Sequence, residues 1–559
     1  MNVAAYIAQF LVEKNVRHVF GFQGGAILKL VDEMIATGKI AYVQNYHEQA
    51  SAFAADAYAR VTGGLGVALA TSGPGATNLI TGIANAQLDS IPTLFITGQD
   101  YTANVTRGNG ARQNGFQDLD IVSLVRPITK YATMVTDPTR IRYELEKAYD
   151  AAVSGRPGAA LLDIPIDVQF QEIDLSLLEG FAPEVPPCPL SSLHIPKIIE
   201  AIRQAKRPVI LVGGGTRIAR ATEEVRHLAL RTGIPVIGTV NGLDVVEGTY
   251  GYAGLHGNSC ANMAVQNADL LIACGVRFGQ RQVGKKPENY TSARVIHIDI
   301  DENELGRIFP DELAIQADLK PFLAALNAAL ATESEADYRG WHHQIRQWQQ
   351  RYRSNAHLNP EGLDPVRAVE ALMPLFSADT IFTSDVGQNQ MWVAQGFSLK
   401  QGQRLLNSCG HGSMGYSLPA AIGAKTAFPH RPVICFTGDG GLQMNLQELM
   451  FLGHRRAGVK CIVFNNNTLG MMREVQARYY QGHYYGANRD EFACVNLEKL
   501  AHTYDLAFAR VTQLEEIATL APLLQSDEPA IIELLIPFDF KLSNLYDEAA
   551  CFERERIHD

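Results

Sequence analysis

No stretch of the chain reaches the ~18 consecutive apolar residues that a bilayer-spanning helix needs, so no membrane partner is expected. A basic surplus is missing too. Lys+Arg number 48 against 59 Asp+Glu, a net charge of −11, which argues against a nucleic-acid partner, because such partners require a dominant basic patch. The eight cysteines (Cys188, Cys260, Cys274, Cys409, Cys435, Cys461, Cys494 and Cys551) form no CxxC pair, so zinc and dithiol redox motifs are unsupported. Cys274, Cys435 and Cys461 lie inside apolar runs and read as buried thiols of a reducing compartment. The opening residues, MNVAAYIAQFLVEKNVRHVFG, lack the basic segment and cleavage site of a secretory leader. They read as an amphipathic helix running into a strand, and a cytoplasmic location is expected. There is no short-period repeat of the solenoid kind.

What is present is ordinary globular material, 47% hydrophobic and 19% charged, which excludes wholesale disorder. A length of 559 residues suggests about three domains at ~100–200 residues each. Two linkers divide it. FAPEVPPCPLSS (181–192) is Pro-rich and cannot continue a helix, and RSNAHLNPEGLDP (353–365) is polar with two prolines. The expected pieces are 1–180, 190–345 and 360–559. Apolar runs recur through all three: GVALATS (66–72), TLFITGQ (93–99), AALLDIP (159–165), PVILVGGG (208–215), LLIACGV (270–276), RVIHIDI (294–300), PVICFTGDG (432–440) and KCIVFNNN (460–467). Such runs suit strands buried on both faces, and the spacing predicts three doubly wound α/β domains with parallel sheets. Gly-rich or polar residues follow the runs directly, where open α/β sheets bind their ligands. The first and third pieces share a coarse pattern of helix, strand and Gly-rich turn.

The strongest chemical signal is Gly438-Asp439-Gly440 followed, after a helix and a second strand, by Asn465-Asn466. Alone, Gly-Asp-Gly is a plain turn. With the asparagines at this spacing, Asp439 and Asn466 stand side by side at the ends of adjacent parallel strands. A carboxylate, an amide oxygen and a nearby carbonyl suit Mg²⁺ that also takes phosphate oxygens. The glycines, Gly441 included, let the backbone approach a diphosphate. In the middle piece, Gly213-Gly214-Gly215 after PVILV is either a tight turn or a close approach to a nucleotide.

The chain resembles the thiamine-diphosphate (ThDP) enzymes, whose motif is GDG, about 25–30 residues, then NN. More closely it is similar to the large catalytic subunits of the acetolactate synthase group. The similarity is carried along nearly the whole chain by GFQGGAIL (21–28), YHEQASAFAADAYAR (46–60), TSGPGATNLITGIANAQLDSIP (71–92), ITGQ (96–99), RPITKYA (126–132), GRPGAALLDIPIDVQ (155–169), GLHGNSCANMAV (254–265), VGQNQMW (386–392), GSMGYSLPAAIGA (412–424) and GDGGLQMNLQEL (438–449).

The resemblance implies a pyrimidine-binding domain, a central domain and a diphosphate-binding domain. It also implies decarboxylation of a 2-keto acid such as pyruvate with transfer of the two-carbon unit to a second carbonyl, as in branched-chain amino acid biosynthesis. Glu48, otherwise a glutamate at a helix start, is implied to hydrogen-bond the aminopyrimidine ring and help activate the cofactor. Gly25 is implied to lie near the reacting centre, where backbone N–H groups stabilise developing charge. Pro74, Asn78, Gly387, Gln388, Met391, Gly412, Met414, Gly470 and Met471 are implied to line the cofactor, with Met414 propping its bent form; a methionine there is otherwise core filler. Thr468 would add its carbonyl to Asp439 and Asn466 on Mg²⁺. Phe116, Gln117 and Lys130 are implied to line the substrate channel, though singly each reads equally as a packing or surface residue. Non-redox FAD is implied on Gly213–Gly215, Leu255, His256, Gly257, Arg277, Asp299 and Asp318, where relatives also hold ADP or nothing. Glu48 and the GDG turn lie about 390 residues apart and are implied to meet across a subunit interface, in a homodimer or homotetramer. A small regulatory subunit is left open.

The resemblance breaks in the acceptor region. Biosynthetic members carry a tryptophan where Val475 stands, and Arg-Phe-Asp-Asp-Arg where this chain has Arg277-Phe278-Gly279-Gln280-Arg281. Arg281 would still meet a carboxylate. The tail from residue 542, with Asp547, Glu548, Glu553, Glu555 and Asp559, differs as well. A changed acceptor, for example a keto-sugar nucleotide, fits these departures. A 2-keto-acid decarboxylase is disfavoured by the lack of a suitably placed His-His pair. An acyl-CoA lyase and a non-catalytic binding subunit remain as alternatives, the latter disfavoured by Glu48, Asp439 and Asn466. Val475, in place of an aromatic on which sulfonylureas stack, predicts weak inhibition by such compounds; nanomolar inhibition in an activity assay would contradict it.

Overall fold

A computed structural model describes residues 1–105, 110–183, 194–309, 313–333, 336–352 and 361–542. Most of both expected linkers and the tail beyond 542 lie outside the described residues, as do Cys188 and Cys551. The other six cysteines are free thiols.

Three all-parallel sheets follow one another along the chain. The first contains β1 (His18–Gly21), β2 (Ala41–Gln44), β3 (Gly66–Ala70), β4 (Thr93–Gln99), β5 (Tyr131–Met134) and β6 (Ala159–Pro165), in the order β2-β1-β3-β4-β6-β5. The second contains β7 (Pro208–Val212), β8 (Val236–Gly238), β9 (Leu270–Cys274), β10 (Arg294–Asp299) and β11 (Leu313–Gln316), in the order β11-β10-β9-β7-β8. The third contains β12 (Ile381–Ser384), β13 (Arg404–Asn407), β14 (Val433–Gly438), β15 (Val459–Asn465), β16 (Ala507–Val511) and β17 (Ala530–Leu535), in the order β13-β12-β14-β15-β17-β16. Counted from its own first strand, the third sheet repeats the order of the first. All eight apolar runs of the sequence fall on strands, and β3, β4, β6, β7 and β9 are buried along their whole length. The three α/β domains and the parallel sheets expected from the sequence are therefore present.

Each sheet has a point where the chain, having built to one side, crosses to the other: between β1 and β3, between β7 and β9, and between β12 and β14. Connections from the two flanking strands leave in opposite directions there, and a crevice opens at the carboxyl ends. Gly25, Pro74, Gly213–Gly215, Gly387, Gln388 and Asp439 follow these strands directly, whereas Glu48, Met414 and Asn466 follow the neighbouring β2, β13 and β15.

The first and third domains share a core. The helix Glu48–Thr62 is almost wholly buried, and its run of alanines lets the helix Ser417–Ala427 pack closely against it. Phe53 and Ala57 join Tyr416, Leu418 and Ala420 in one apolar cluster. Ions reinforce this contact. Arg60 sits between Asp56 and Asp89 at 2.7 and 2.9 Å, and the Tyr416 hydroxyl donates to Asp56 at 2.8 Å. Arg404 of the third domain donates to the Arg60 carbonyl (3.0 Å) and pairs with buried Asp244 of the middle domain (2.7 Å). Arg217 approaches Asp244 from the other side at 3.6 Å. Burial pushes the Asp244 carboxyl up, but the two guanidiniums overcome this and hold it below its ordinary value.

Removing one partner of a buried ion pair leaves the others uncompensated, at a cost of about 3–5 kcal/mol. Asp244→Ala is therefore expected to lower the thermal midpoint and to speed amide exchange in β13; unchanged exchange in β13 would contradict this linkage.

Candidate active site

Glu48 follows β2 and opens its helix, with His47 as the capping residue. A carboxylate in the first turn faces the helix dipole favourably. Glu48 is buried, and its Oε2 accepts from Asn78 Nδ2 at 2.9 Å. A Cβ at Gly75 would lie 3.1 Å from Glu48 Oε1 and 2.8 Å from Thr71 Cγ2, so glycine lets this turn close beneath the carboxylate. Gly73, at φ +58°, turns the chain into the short helix Pro74–Asn78, with Pro74 pre-set at its first position. Gln117 packs on Gly73 from above, itself at φ +61°. The Thr71 hydroxyl accepts from Ala26 N at 3.3 Å, which ties the turn after β3 to the one after β1. A Cβ at Gly25 would meet none of the described residues within 4 Å. Gly25, Glu48, Pro74, Asn78 and Gln117 are thus gathered at the crossover end of the first sheet. Phe116 is 84% exposed beside them. Lys130 is not brought to this cluster. It precedes β5, at the opposite end of that strand, and donates to the carbonyls of Ser154 and Arg156 at 2.7 and 2.9 Å.

Asp439 stands at the end of β14, beside Asn466 at the end of β15. Both are buried. Asp439 Oδ1 accepts from Gly440 N at 2.8 Å, whereas Oδ2 is buried without a partner among the described residues. Burial pushes this carboxyl up to about 7, against the pull of the nearby amides of Gly440, Asn467 and Thr468. A buried, unpartnered carboxylate oxygen requires an explanation, and a hard divalent cation is one. Asn466 Nδ2 donates to Gln388 at 3.1 Å, while the Thr468 hydroxyl is spent on the Ala487 carbonyl. Gly438 lies against Asn389, and a Cβ at Gly440 would come within 2.7 Å of Leu469 and 3.5 Å of Met414. Gly387 (φ +139°) and Gly412 (φ +71°) adopt backbone open to glycine. Gly441 packs instead on Asp385. Met391 and Met471 belong to or border the apolar core of the domain. Val475 is half-buried on the helix Gly470–Tyr479. These groups fit a diphosphate held through Mg²⁺, by the chemistry of the donors and by the open space at Gly412.

Sequence reasoning passed over Asp385. It accepts from the amides of Val386, Gly415 and Ser417 and so holds the Gly412–Tyr416 turn against β12; burial pushes it up to about 6. An acid directly after a buried apolar strand was the available signal.

A cavity of about 610 Å³ opens at the crossover of the second sheet. Gly213, Gly214, Gly215, Arg277, Asp299 and Asp318 line it, as does Arg281. Its other walls come from Ser90 and Arg156 of the first domain and Cys409 and Gly410 of the third. Arg156 also pairs with Asp301 and Glu304 at 2.8 Å, a cross-domain contact the sequence did not signal. The size suits a cofactor-scale ligand. Leu255, His256 and Gly257 are not in this wall: Leu255 N donates to the Arg281 carbonyl, and the His256 carbonyl accepts from Gln395 at 2.7 Å. Arg281 donates to Gln390 at 3.2 Å, so it bridges the cavity to the third domain.

Three family profiles match in order: "Thiamine pyrophosphate enzyme, N-terminal TPP binding domain" over residues 1–124, "central domain" over 195–326 and "C-terminal TPP binding domain" over 385–534. The chain is 37% identical over 552 residues to the acetolactate synthase large subunit of Cyanidium caldarium, covering 95% of this chain and 92% of that one. It is 37% identical over 560 residues to that of Corynebacterium glutamicum (96% and 87%). Acetolactate synthase 2, chloroplastic, of Nicotiana tabacum is 35% identical over 549 residues (95% and 81%).

Glu448 anchors the approach to Glu48, accepting from Tyr46 N at 2.8 Å and Asn45 Nδ2 at 3.0 Å. Burial pushes it up to about 7, above the ~4.3 of an unfolded chain. The folded state therefore holds this proton more tightly, and stability falls as pH rises from about 4.3 to about 7. In thermal melts from pH 5 to 8, the wild type is expected to lose ground against Glu448→Gln as pH rises; a difference independent of pH would contradict the assignment.

Proposed function

The chain belongs to the thiamine pyrophosphate enzyme family and is a ThDP-dependent transferase; from that premise we propose that it is an acetolactate-synthase-like carboligase, with pyruvate as donor and 2-acetolactate as product when a second pyruvate is the acceptor. Similarity to acetolactate synthase large subunits along 95% of the chain carries this reading.

When bound, ThDP would supply a nucleophilic carbon and an electron sink for the pair left behind as CO₂ departs. In the proposal the protein does the rest. Asp439, Asn466 and the Thr468 carbonyl hold Mg²⁺ and through it the diphosphate. Gly438, Gly440 and Gly470 let Asn389, Leu469 and Gln388 close in around it, and Met414 supports the cofactor from the side. Glu48 shares a proton with the aminopyrimidine ring in a dry setting, oriented by Asn78. The open approach at Gly25 admits the substrate carbonyl. The resemblance implies that Glu48 and Asp439 meet across a subunit interface, so a second copy is proposed to bring the complementary half. FAD, in a non-redox role, is the proposed occupant of the 610 Å³ cavity. A cytoplasmic homo-oligomer completes the reading; no described helix is long and apolar enough to cross a membrane.

A second reading keeps the same donor chemistry and changes the acceptor. Val475, where the resemblance implies a tryptophan beside the acceptor, favours it.

Purified protein supplied with ThDP, Mg²⁺, FAD and pyruvate is expected to form 2-acetolactate by NMR, and Glu48→Gln to lose about 10²–10⁴-fold in rate. Acetaldehyde as sole product would favour the second reading and direct the search to larger carbonyls. Untouched pyruvate would overturn both.

A further inference from the structure

An asparagine amide offers one oxygen and one NH₂ group, and its orientation must be chosen by its neighbours. To face a cation with oxygen, Asn466 must send its NH₂ elsewhere. It donates to Gln388 Oε1 at 3.1 Å. Gln388 faces the same choice. Its Nε2 donates to Glu474 Oε1 and lies 3.4 Å from the Phe540 carbonyl. A carboxylate and a carbonyl only accept. Reversing Gln388 would set oxygen against two oxygens, and reversing Asn466 would set its oxygen against Gln388 Oε1. Glu474 is pinned in turn by Leu542 N, which donates to the same oxygen at 2.8 Å.

The arrangement is compact. Gln388 and Asn466 are buried. A Cβ at Gly470 would lie 1.9 Å from Gln388 Oε1 and 2.8 Å from Asn466 Nδ2, so glycine alone lets the helix Gly470–Tyr479 settle over the pair. Glu474 projects from the second turn of that helix, next to Val475.

We propose that Glu474 is a positioning residue: acting through Gln388, it fixes the orientation of the Asn466 amide so that Asn466 Oδ1 faces the cation. This rests on the reading of Asp439 and Asn466 as metal ligands. Groups behind metal ligands commonly set affinity in this way. The role requires an acceptor at position 474 and not a negative charge, which separates it from simple attraction of the cation.

The test is Mn²⁺ binding by the full chain with saturating ThDP, read as free Mn²⁺ by electron paramagnetic resonance. It is run at pH 8.5, because burial raises the Glu474 carboxyl to about 7. Glu474→Leu is expected to weaken binding by about 10–100-fold; because it leaves the Gln388 and Leu542 donors without this acceptor it also lowers the melting temperature, so affinities are compared where the metal-free variant is fully folded. Glu474→Gln keeps an acceptor oxygen for Gln388 and Leu542 and is expected to bind as the wild type does. Wild-type affinity in Glu474→Leu would overturn the proposal, as would a Glu474→Gln as weak as Glu474→Leu. If Glu474→Leu does not fold, Gln388→Met decides: it removes the acceptor that orients the Asn466 amide while keeping the side-chain length, so about a tenfold loss of affinity supports the relay and wild-type affinity overturns it. Asp439→Asn runs alongside. If it too binds Mn²⁺ normally, the metal-site reading itself fails; if it alone loses binding, only the relay does.

Discussion

A parallel sheet sends every strand's carboxyl end to one edge, and a change of direction in strand order opens a crevice at that edge. This constraint organises the molecule three times over. Gly25, Thr71 and Glu48 cluster at the first crossover, the 610 Å³ cavity opens at the second, and Asp385 and Gly441 meet at the third. The turn residues are small or polar because a crevice must stay open and its backbone must approach a ligand. The strands behind them are apolar because helices cover both faces.

Three crevices make one enzyme only if the domains keep their relative positions. The buried chain from Asp56 and Asp89 through Arg60, Arg404 and Asp244 to Arg217 crosses all three domains. Such a network adds little net stability beyond what apolar packing would give, because desolvation offsets most of the Coulomb attraction. Its contribution is directional: guanidinium and carboxylate geometry admits one arrangement where an apolar contact would tolerate several. Asp89 shows the connection to the cavity. It pairs with Arg60 and also accepts from the amides of Cys409 and Gly410, which line the cavity wall.

The third domain sets two roles side by side on one helix. Glu474 and Val475 are neighbours on one helix. Glu474 bonds toward Gln388 and the proposed cation site, whereas Val475 holds the position tied by resemblance to the acceptor. A single helix can therefore keep the donor half constant while the acceptor half changes, since successive residues on a helix point about 100° apart.

The sequence by itself determined the α/β class, the parallel sheets and the pairing of Asp439 with Asn466, because these follow from local apolar runs and from turns adjacent to them. Its eight apolar runs became strands, whereas short or edge strands such as β5, β8 and β11 carry too few buried residues to declare themselves. β17 was obscured by Glu533 within its apolar run. The tertiary structure alone decided the rest. That Lys130 caps carbonyls at the far end of β5, that Leu255, His256 and Gly257 pack away from the cavity wall, and that Asp385, Arg156 and Glu474 support the sites all depend on contacts between residues far apart in the chain. Local sequence records what a segment can form; it does not record which distant partner will satisfy each buried polar group.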